Sequence, residues 1–197
     1  RMPPRQYASM YRSGDIPVPA NLMPEHPFDN GELRVRDEQL APWPRTPETI
    51  AQHIADYYGM ITQVDEHLGR IVETLHLTGR LENTIIIFAG DNGLAVGQHG
   101  LMGKQSMYEH SVRVPLIFSG PGIPRGKRTD ALCYLLDIFP TLCDLTGLQI
   151  PESVEGRSLA GIIRGEQYRV RDTLHFAYRD CQRAVRDERF KLIEYSV

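Results

Sequence analysis

The sequence predicts an α/β fold with a small antiparallel sheet added at its C-terminal end. Three features carry the prediction. One apolar stripe persists through some thirty residues after Thr46. Two short apolar runs then follow, at 84–89 and 114–119. Beyond residue 165 the pattern changes to strand-like runs with alternating character. Helix-then-strand order in the middle indicates α/β, and the tail indicates an added antiparallel piece.

Residues 1–45 open the chain. Nine of the 14 prolines lie at or before Pro47. Such a stretch reads as an irregular segment lying over a larger body, not as a core, with 16–21 extended. The helix comes next. Thr46 suits the N-cap, Pro47 the first helical position and Glu48 the positive N-terminal end. Ile50, Ile54, Tyr57, Ile61, Val64, Leu68, Ile71 and Leu75 recur at spacings of four and three, and Gly79 suits the stop. The stripe also fits a coiled-coil seam. Gly59 and Gly69 weaken that alternative, and a helix laid on a sheet is the reading taken. The run at 84–89 carries no charge, which suits a strand covered on both faces in a parallel sheet. The run VPLIFS at 114–119 is a second of the same kind, ending in a Gly/Pro-rich loop. Asp137 can cap a helix through Thr146, with Pro140 in its first turn and Gly147 closing it. In the tail, TLHFAYR and RFKLIEY read as strands, with a turn region at Arg186-Asp187-Glu188 leading into the second. The boundaries expected are 1–45 for the Pro-rich segment, 46–165 for the α/β part and 166–197 for the start of the antiparallel part.

Composition excludes several classes of function. The chain has 197 residues, 41% hydrophobic and 24% charged, an ordinary globular balance. A formal net charge of -3 gives no electrostatic footprint for nucleic acid or an anionic membrane. No apolar stretch reaches the roughly 20 residues of a membrane span. The first residue is Arg1, so the chain is read as beginning inside a longer protein, and the lack of a signal peptide says nothing of compartment. Cys133, Cys143 and Cys181 form no CxxC pair and are expected to be small buried hydrophobes.

The stretch FAGDNGLAVGQHGLMGK, 88–104, concentrates the chemistry. In open α/β sheets functional groups sit beyond the carboxyl ends of strands, and Asp91 and Asn92 follow the first apolar run in that place. Both carry hard oxygen donors, suited to Ca²⁺ or Mg²⁺. Gly90 and Gly93 allow a sharp turn, Lys104 can set a point charge on an anion, and His99 sits between glycines. Asp-Asn-Gly alone is a common surface turn. An acid, an amide, a His and a Lys together on one Gly-rich loop after a buried strand exceed what a turn needs.

Here the sequence resembles a known family. GDNG…GQHGLMGKQSMYEHSVRVPLIFSGPG is similar to the second signature region of the sulfatases, members of the alkaline phosphatase superfamily. The likeness continues through LLDIFPTLCDLTG and EGRSL to RAVRDERFKLI, which resembles the family's entry to its small C-terminal sheet. YYGMITQVDEHLGRIVETL resembles the helix that precedes it, so about residues 50–195 are covered. PVPANLMPEHPFDNGE looks like the linker of bacterial members. The resemblance implies an alkaline-phosphatase-like sandwich, with part of its main sheet and packing helices leading into the small antiparallel sheet. It implies Asp91 and Asn92 as metal ligands, for Ca²⁺ first and Mg²⁺ second. It gives Lys104 a catalytic and substrate-binding role, neutralising the ester oxygen as the S–O bond breaks. His99 would lie on the substrate side or just behind the residues that touch it, and Tyr108, Glu109 and Arg113 would hold the loop. Asn92 keeps the site all-oxygen, where relatives that cleave phosphonates or phosphodiesters often carry His.

One departure is large. The family's Cys/Ser-x-Pro-x-Arg, matured to the formylglycine nucleophile, is absent. No cysteine is followed by Pro and Arg in that pattern, and the run from Ser119 through Pro121 ends in Ile123. The chain is therefore expected to be the C-terminal part of a sulfatase, with the N-terminal remainder of the same protein as its partner and Arg1 as the last letter of an upstream HDPR. The expected substrate is a sulfated small molecule or glycan. The alternatives are a phosphoester or phosphonate hydrolase of the same superfamily and a non-catalytic anion-binding remnant. Location in the periplasm or outside the cell is implied by resemblance alone.

Overall fold

The computed structural model describes residues 2–196, so the reading of Arg1 lies outside the described residues. The chain divides into two units. One takes the described residues up to Leu81 together with Asn92–Arg113, and the other takes Glu82–Asp91 with Val114–Ser196.

In the first unit a short helix α1 (Arg5–Ala8) precedes the long α2 (Pro47–Leu77). Thr46 caps α2 as expected: its hydroxyl accepts the Thr49 N–H at 3.3 Å, and Pro47 takes the first position. Only the N-terminal half of α2 is buried, through Ile50, Ala51, Ile54, Ala55 and Gly59. Further along, the predicted stripe is open at Ile61, Val64, Leu68 and Ile71, with Val64 51% and Ile71 57% exposed. The helix packs on α1 and on the 3-10 turn Ser13–Asp15, not on a sheet of this unit. Tyr7 donates to Glu66 at 2.7 Å and Tyr11 meets Thr62 at 2.7 Å, which ties the N-terminal segment along the helix.

That segment corrects the expectation for residues 1–45. Ala41 joins Ile50, Ile54 and Met102 in the buried cluster, with Ile16, Val18 and Leu22 packed against it. The segment is irregular, but it supplies core. It does so with apolar residues spaced singly between prolines, a pattern with no period to read.

The second unit holds two sheets. Strands β1 (Ile86–Ala89) and β2 (Leu116–Ser119) pair antiparallel, Ile86 opposite Ser119 and Ala89 opposite Leu116. This corrects the parallel arrangement expected for them. The connection from 90 to 115 contains only the one-turn helix α3 (Glu109–Val112), too little for a crossover. Phe88 and Ile117 are 39% and 56% exposed, so neither strand is covered on both faces within the unit. Helix α4 (Ile138–Thr146) ends at Gly147, and α5 (Ala160–Arg164) follows. The tail forms β3 (Leu174–Tyr178), β4 (Gln182–Arg186) and β5 (Lys191–Tyr195), an antiparallel sheet in that order. The middle strand was not predicted. Its arginines hide the alternation by which Gln182 and Ala184 are buried. Cys143 is buried, while Cys133 and Cys181 are only half-buried.

Asp137 does not cap α4 with its side chain, as the sequence suggested. It is fully buried and anchors the unit instead. Its carboxylate accepts the N–H of Tyr134 and of Arg157, each at 2.8 Å, and pairs with the Arg171 guanidinium through both oxygens. Burial works against the charge. The Arg171 hydrogen bonds and the two N–H donors outweigh it and hold the carboxyl below its ordinary 3.8. A depressed folded value stabilises the fold above the unfolded pKa and loses that contribution as pH falls through the folded value. Thermal unfolding of the chain is therefore expected to be insensitive to this group above about pH 5 and to weaken below about pH 4. Asp137→Asn should flatten that acid limb and cost about 3–5 kcal/mol at neutral pH, because it leaves Arg171 buried without its counter-charge. An unchanged acid limb in the variant would show that Asp137 is not the group.

Candidate functional site

Asp91 and Asn92 follow β1, where the sequence put them. Gly90 donates its N–H to Pro115 at 3.2 Å and so keeps the strand pair closed up to Asp91. Asp91 is exposed and falls in the second unit, whereas Asn92 is half-buried and begins the loop of the first.

From Asn92 the loop runs out and returns. Gly93 donates to Ser111 at 2.9 Å, Ala95 to Gly103 at 2.9 Å and Gly97 to Leu101 at 2.7 Å. Positive φ at Val96, Gly97, His99 and Gly100 makes the reversal tight. For the β-branched Val96 such a backbone is strained, a state that persists only where the surroundings enforce it. The return brings Lys104 back beside Asn92: its Nζ donates to Asn92 Oδ1 at 3.0 Å across twelve residues of chain. Two glycines make this approach possible. A Cβ on Gly93 would lie 1.8 Å from the His110 carbonyl oxygen, and one on Gly103 would meet Asp37 and Glu38 at 3.0 Å.

A buried carboxylate enforces the return. Glu38, 4% exposed, accepts the N–H of Met102 and of Gly103, each at 2.8 Å. Its counter-charge is Arg45, 2% exposed, at 3.1 Å. Arg45 also donates to the backbone oxygens of Glu38 and Ala41 and stacks 4.0 Å over the Trp43 ring. Burial pulls the guanidinium below its usual value, and Glu38 opposes that pull. Beside this pair, Asp37 accepts from Gln105 at 3.2 Å, which fixes the residue after Lys104. Ser106 and Ser111 meet at 3.0 Å and close the far side of the loop.

His99 stands at the tip with φ 55°. Its ring stacks on Tyr108 with centroids 4.2 Å apart. Asn21 lies 3.1 Å from its Nε2, and its carbonyl accepts from His26 Nδ1 at 2.7 Å. Burial, and secondarily the charge on His26, push its pKa below the ordinary imidazole value. Tyr108 and Glu109 frame α3, and Arg113 donates its N–H to Glu109 at 2.9 Å, so these residues do shape the loop.

The loop thus brings Asn92 and Lys104 into contact and sets His99 on an aromatic stack beyond them. Sequence reasoning missed Glu38, Arg45 and His26. The available signal was an acid and a base seven apart in a proline-rich stretch that otherwise read as covering. As for a metal, two hard oxygen donors on consecutive residues suit Ca²⁺ or Mg²⁺ in kind. They fall short of the roughly six to eight oxygens Ca²⁺ takes. Among the described residues no three His, Cys, Asp or Glu side chains converge as a ligand group.

Comparison with known proteins places this geometry. The model of the Sulfatase family matches residues 3–148. An arylsulfatase of Clostridium perfringens is 36% identical over 178 residues, which is 88% of this chain and 37% of that protein. A solved protein in complex with its substrate D-glucosamine-2-N,6-O-disulfate superposes with a TM-score of 0.68 at 30% identity, over 76% of this chain and 33% of that one. The phosphonate monoester hydrolase of Agrobacterium radiobacter superposes with a TM-score of 0.79 at 28% identity, over 98% of this chain and 45% of that one. The chain therefore spans less than half the length of these relatives. Because the matched region takes in the long helix, the antiparallel strand pair and the whole loop from Asp91 to Arg113, the chain belongs to the sulfatase family.

Proposed function

We propose that this chain is the C-terminal portion of an enzyme that hydrolyses sulfate esters of a carbohydrate. The single observation that carries the reading is the contact of Lys104 with Asn92 at 3.0 Å, held by a loop whose return is fixed from beneath by Glu38. A compact ammonium beside the hard oxygen of Asn92 suits an anionic group that meets both. Lys104 would hold the sulfate and balance charge on the ester oxygen as the S–O bond breaks, the kind of preorganised electrostatic aid that often dominates catalysis. Asp91 and Asn92 would be ligands of a divalent metal, Ca²⁺ before Mg²⁺, with the remaining oxygens supplied from outside these residues. Such a metal, when bound, draws negative charge from the sulfate oxygens as a Lewis acid. The nucleophile, a formylglycine in this reading, and the remaining ligands belong to an N-terminal part of the same protein. The exposed apolar face of α2 beyond Ile61 is the surface such a part would cover. Export to the periplasm or beyond the cell belongs to the same proposal.

Phosphonate ester hydrolysis is the second reading, favoured by the superposition on a phosphonate monoester hydrolase. Turnover of an aryl sulfate against a phenyl phosphonate by the full-length enzyme separates the two, and the sulfate is expected to be preferred.

Lys104→Ala in the full-length enzyme should lower kcat for an aryl sulfate by at least about tenfold, toward the 10²–10³ of a lost transition-state donor. Lys104→Arg should restore it only in part, because a planar guanidinium does not replace a compact ammonium. Wild-type turnover by a well-folded Lys104→Ala protein would remove the residue from the site. In calorimetry the 197-residue chain should bind Ca²⁺ no tighter than about 10⁻⁴ M, since it offers too few oxygens. Chelation should lower the Tm of the full-length enzyme, and Asp91→Ala should abolish that shift. Tight binding by the short chain, or a chelation shift that survives in Asp91→Ala, would move the metal elsewhere.

A further inference from the structure

The aromatic cluster behind the loop tip has chemistry that the sulfate-handling residues do not account for. His99 and Tyr108 stack at 4.2 Å with their planes 18° apart. His26 sits edge-on to Tyr108 at 5.9 Å, and Phe28 lies 4.5 Å from His26. His26 is 9% exposed, whereas Phe28 is 43% exposed and His99 and Tyr108 are half-buried. The cluster therefore has a buried back and an open front. At the front Asn21 is exposed, and its amide meets both the His99 ring and, at 3.4 Å, the side chain of Gln98.

The hydrogen bonds indicate the neutral tautomer of two rings. A backbone oxygen can only accept, so His26 Nδ1 carries a hydrogen and donates it to His99. His26 Nε2 is then a bare nitrogen when the ring is neutral. It is buried and makes no hydrogen bond. Asn21 Nδ2 can only donate, so His99 Nε2 accepts and the neutral ring bears its hydrogen on Nδ1. Burial disfavours the charged form of His99. The front is thus a π surface with no Lys or Arg among its residues, an imidazole N–H donor, and two amides that both donate and accept.

We propose that this front is a subsite for the neutral ring of a sugar, separate from the group that holds the sulfate. A pyranose has one face of polarised C–H bonds, which packs on aromatic rings, and a rim of vicinal hydroxyls, which pair with amides and imidazole N–H. A sulfate would call for a lysine or arginine, and the cluster holds neither. The subsite lies along the chain from Lys104: the His110 ring is 5.8 Å from His99 and 5.6 Å from Tyr108, and the His110 backbone abuts Gly93, next to Asn92. A ring seated here belongs to the same molecule whose ester reaches Lys104, and to this extent the subsite rests on the carbohydrate-sulfatase reading.

Two measurements on the full-length protein separate that reading from the subsite. In the first, kcat/KM is determined for N-acetylglucosamine 6-sulfate and for 4-nitrophenyl sulfate, which has no sugar. The ratio of sugar to aryl ester should fall by about fivefold in Asn21→Ala, Phe28→Ala and Tyr108→Leu, in keeping with the loss of one ring or amide contact. An unchanged ratio in all three would overturn the subsite. In the second, saturation-transfer NMR with N-acetylglucosamine, which carries no sulfate, should show transfer to the ring C–H protons in the wild type and its loss in Asn21→Ala and Phe28→Ala at unchanged Tm. No transfer to the wild type, or equal transfer to the variants, would overturn it. Sugar binding without hydrolysis of either ester would keep the subsite and sink the sulfatase reading.

Discussion

The geometry of the loop depends on one buried carboxylate. Glu38 accepts the amide hydrogens of Met102 and Gly103 at 2.8 Å and is balanced by Arg45, itself buried. Both charges sit where water cannot reach them. Removing either partner from such a pair typically costs about 3–5 kcal/mol, because the other is left uncompensated. This gives the loop a fixed end. A lysine on a glycine-rich loop would otherwise sample many positions; Lys104 is held against Asn92. The carboxylate comes from the proline-rich segment and the amides from the loop. The segment is thus the support on which the loop is built, and the small core of Ala41, Ile50, Ile54 and Met102 closes around the same junction.

The second unit uses the same device at another place. Asp137 is buried, balanced by Arg171, and accepts the amide hydrogens of Tyr134, three residues before it, and of Arg157, twenty residues after it. In each unit an irregular stretch is organised by an acid that collects backbone donors, with an arginine set behind it. A carboxylate has two oxygens and about four lone-pair sites, so one side chain can tie several strands of chain where no ladder is available. This explains how a chain with two short sheets and few long elements holds its loops in register.

The legibility of the sequence followed periodicity. Thr46, Pro47 and a stripe at helical spacing announced α2 to within a residue or two, since each signal is local. The strands β1 and β2 were visible as runs, but their direction was not, because an apolar run looks the same in a parallel and an antiparallel sheet. The strand Gln182–Arg186 was missed because three of its five side chains are polar or charged and only its alternate residues are buried. In the candidate site, Asp91, Asn92, Lys104 and His99 stood out as reactive types on a glycine-rich loop. Glu38, Arg45 and His26 did not. They lie 55 to 73 residues from the loop groups they bond, and sequence distance of that kind carries no pattern. A charged pair among prolines is the signal that was available: such residues seldom crowd into a covering segment unless something must be held there.

The most direct test of this dependence is a double-mutant cycle on kcat/KM for an aryl sulfate, measured on the full-length enzyme with Glu38→Gln, Lys104→Ala and both together. If Glu38 acts by holding Lys104 in place, Glu38→Gln lowers turnover in the wild type and changes little once Lys104 is gone, with a coupling of at least about 1 kcal/mol. Effects that add to within about 0.5 kcal/mol would show that the buried carboxylate and the lysine act independently, and would contradict the dependence of the site on the clamp beneath it.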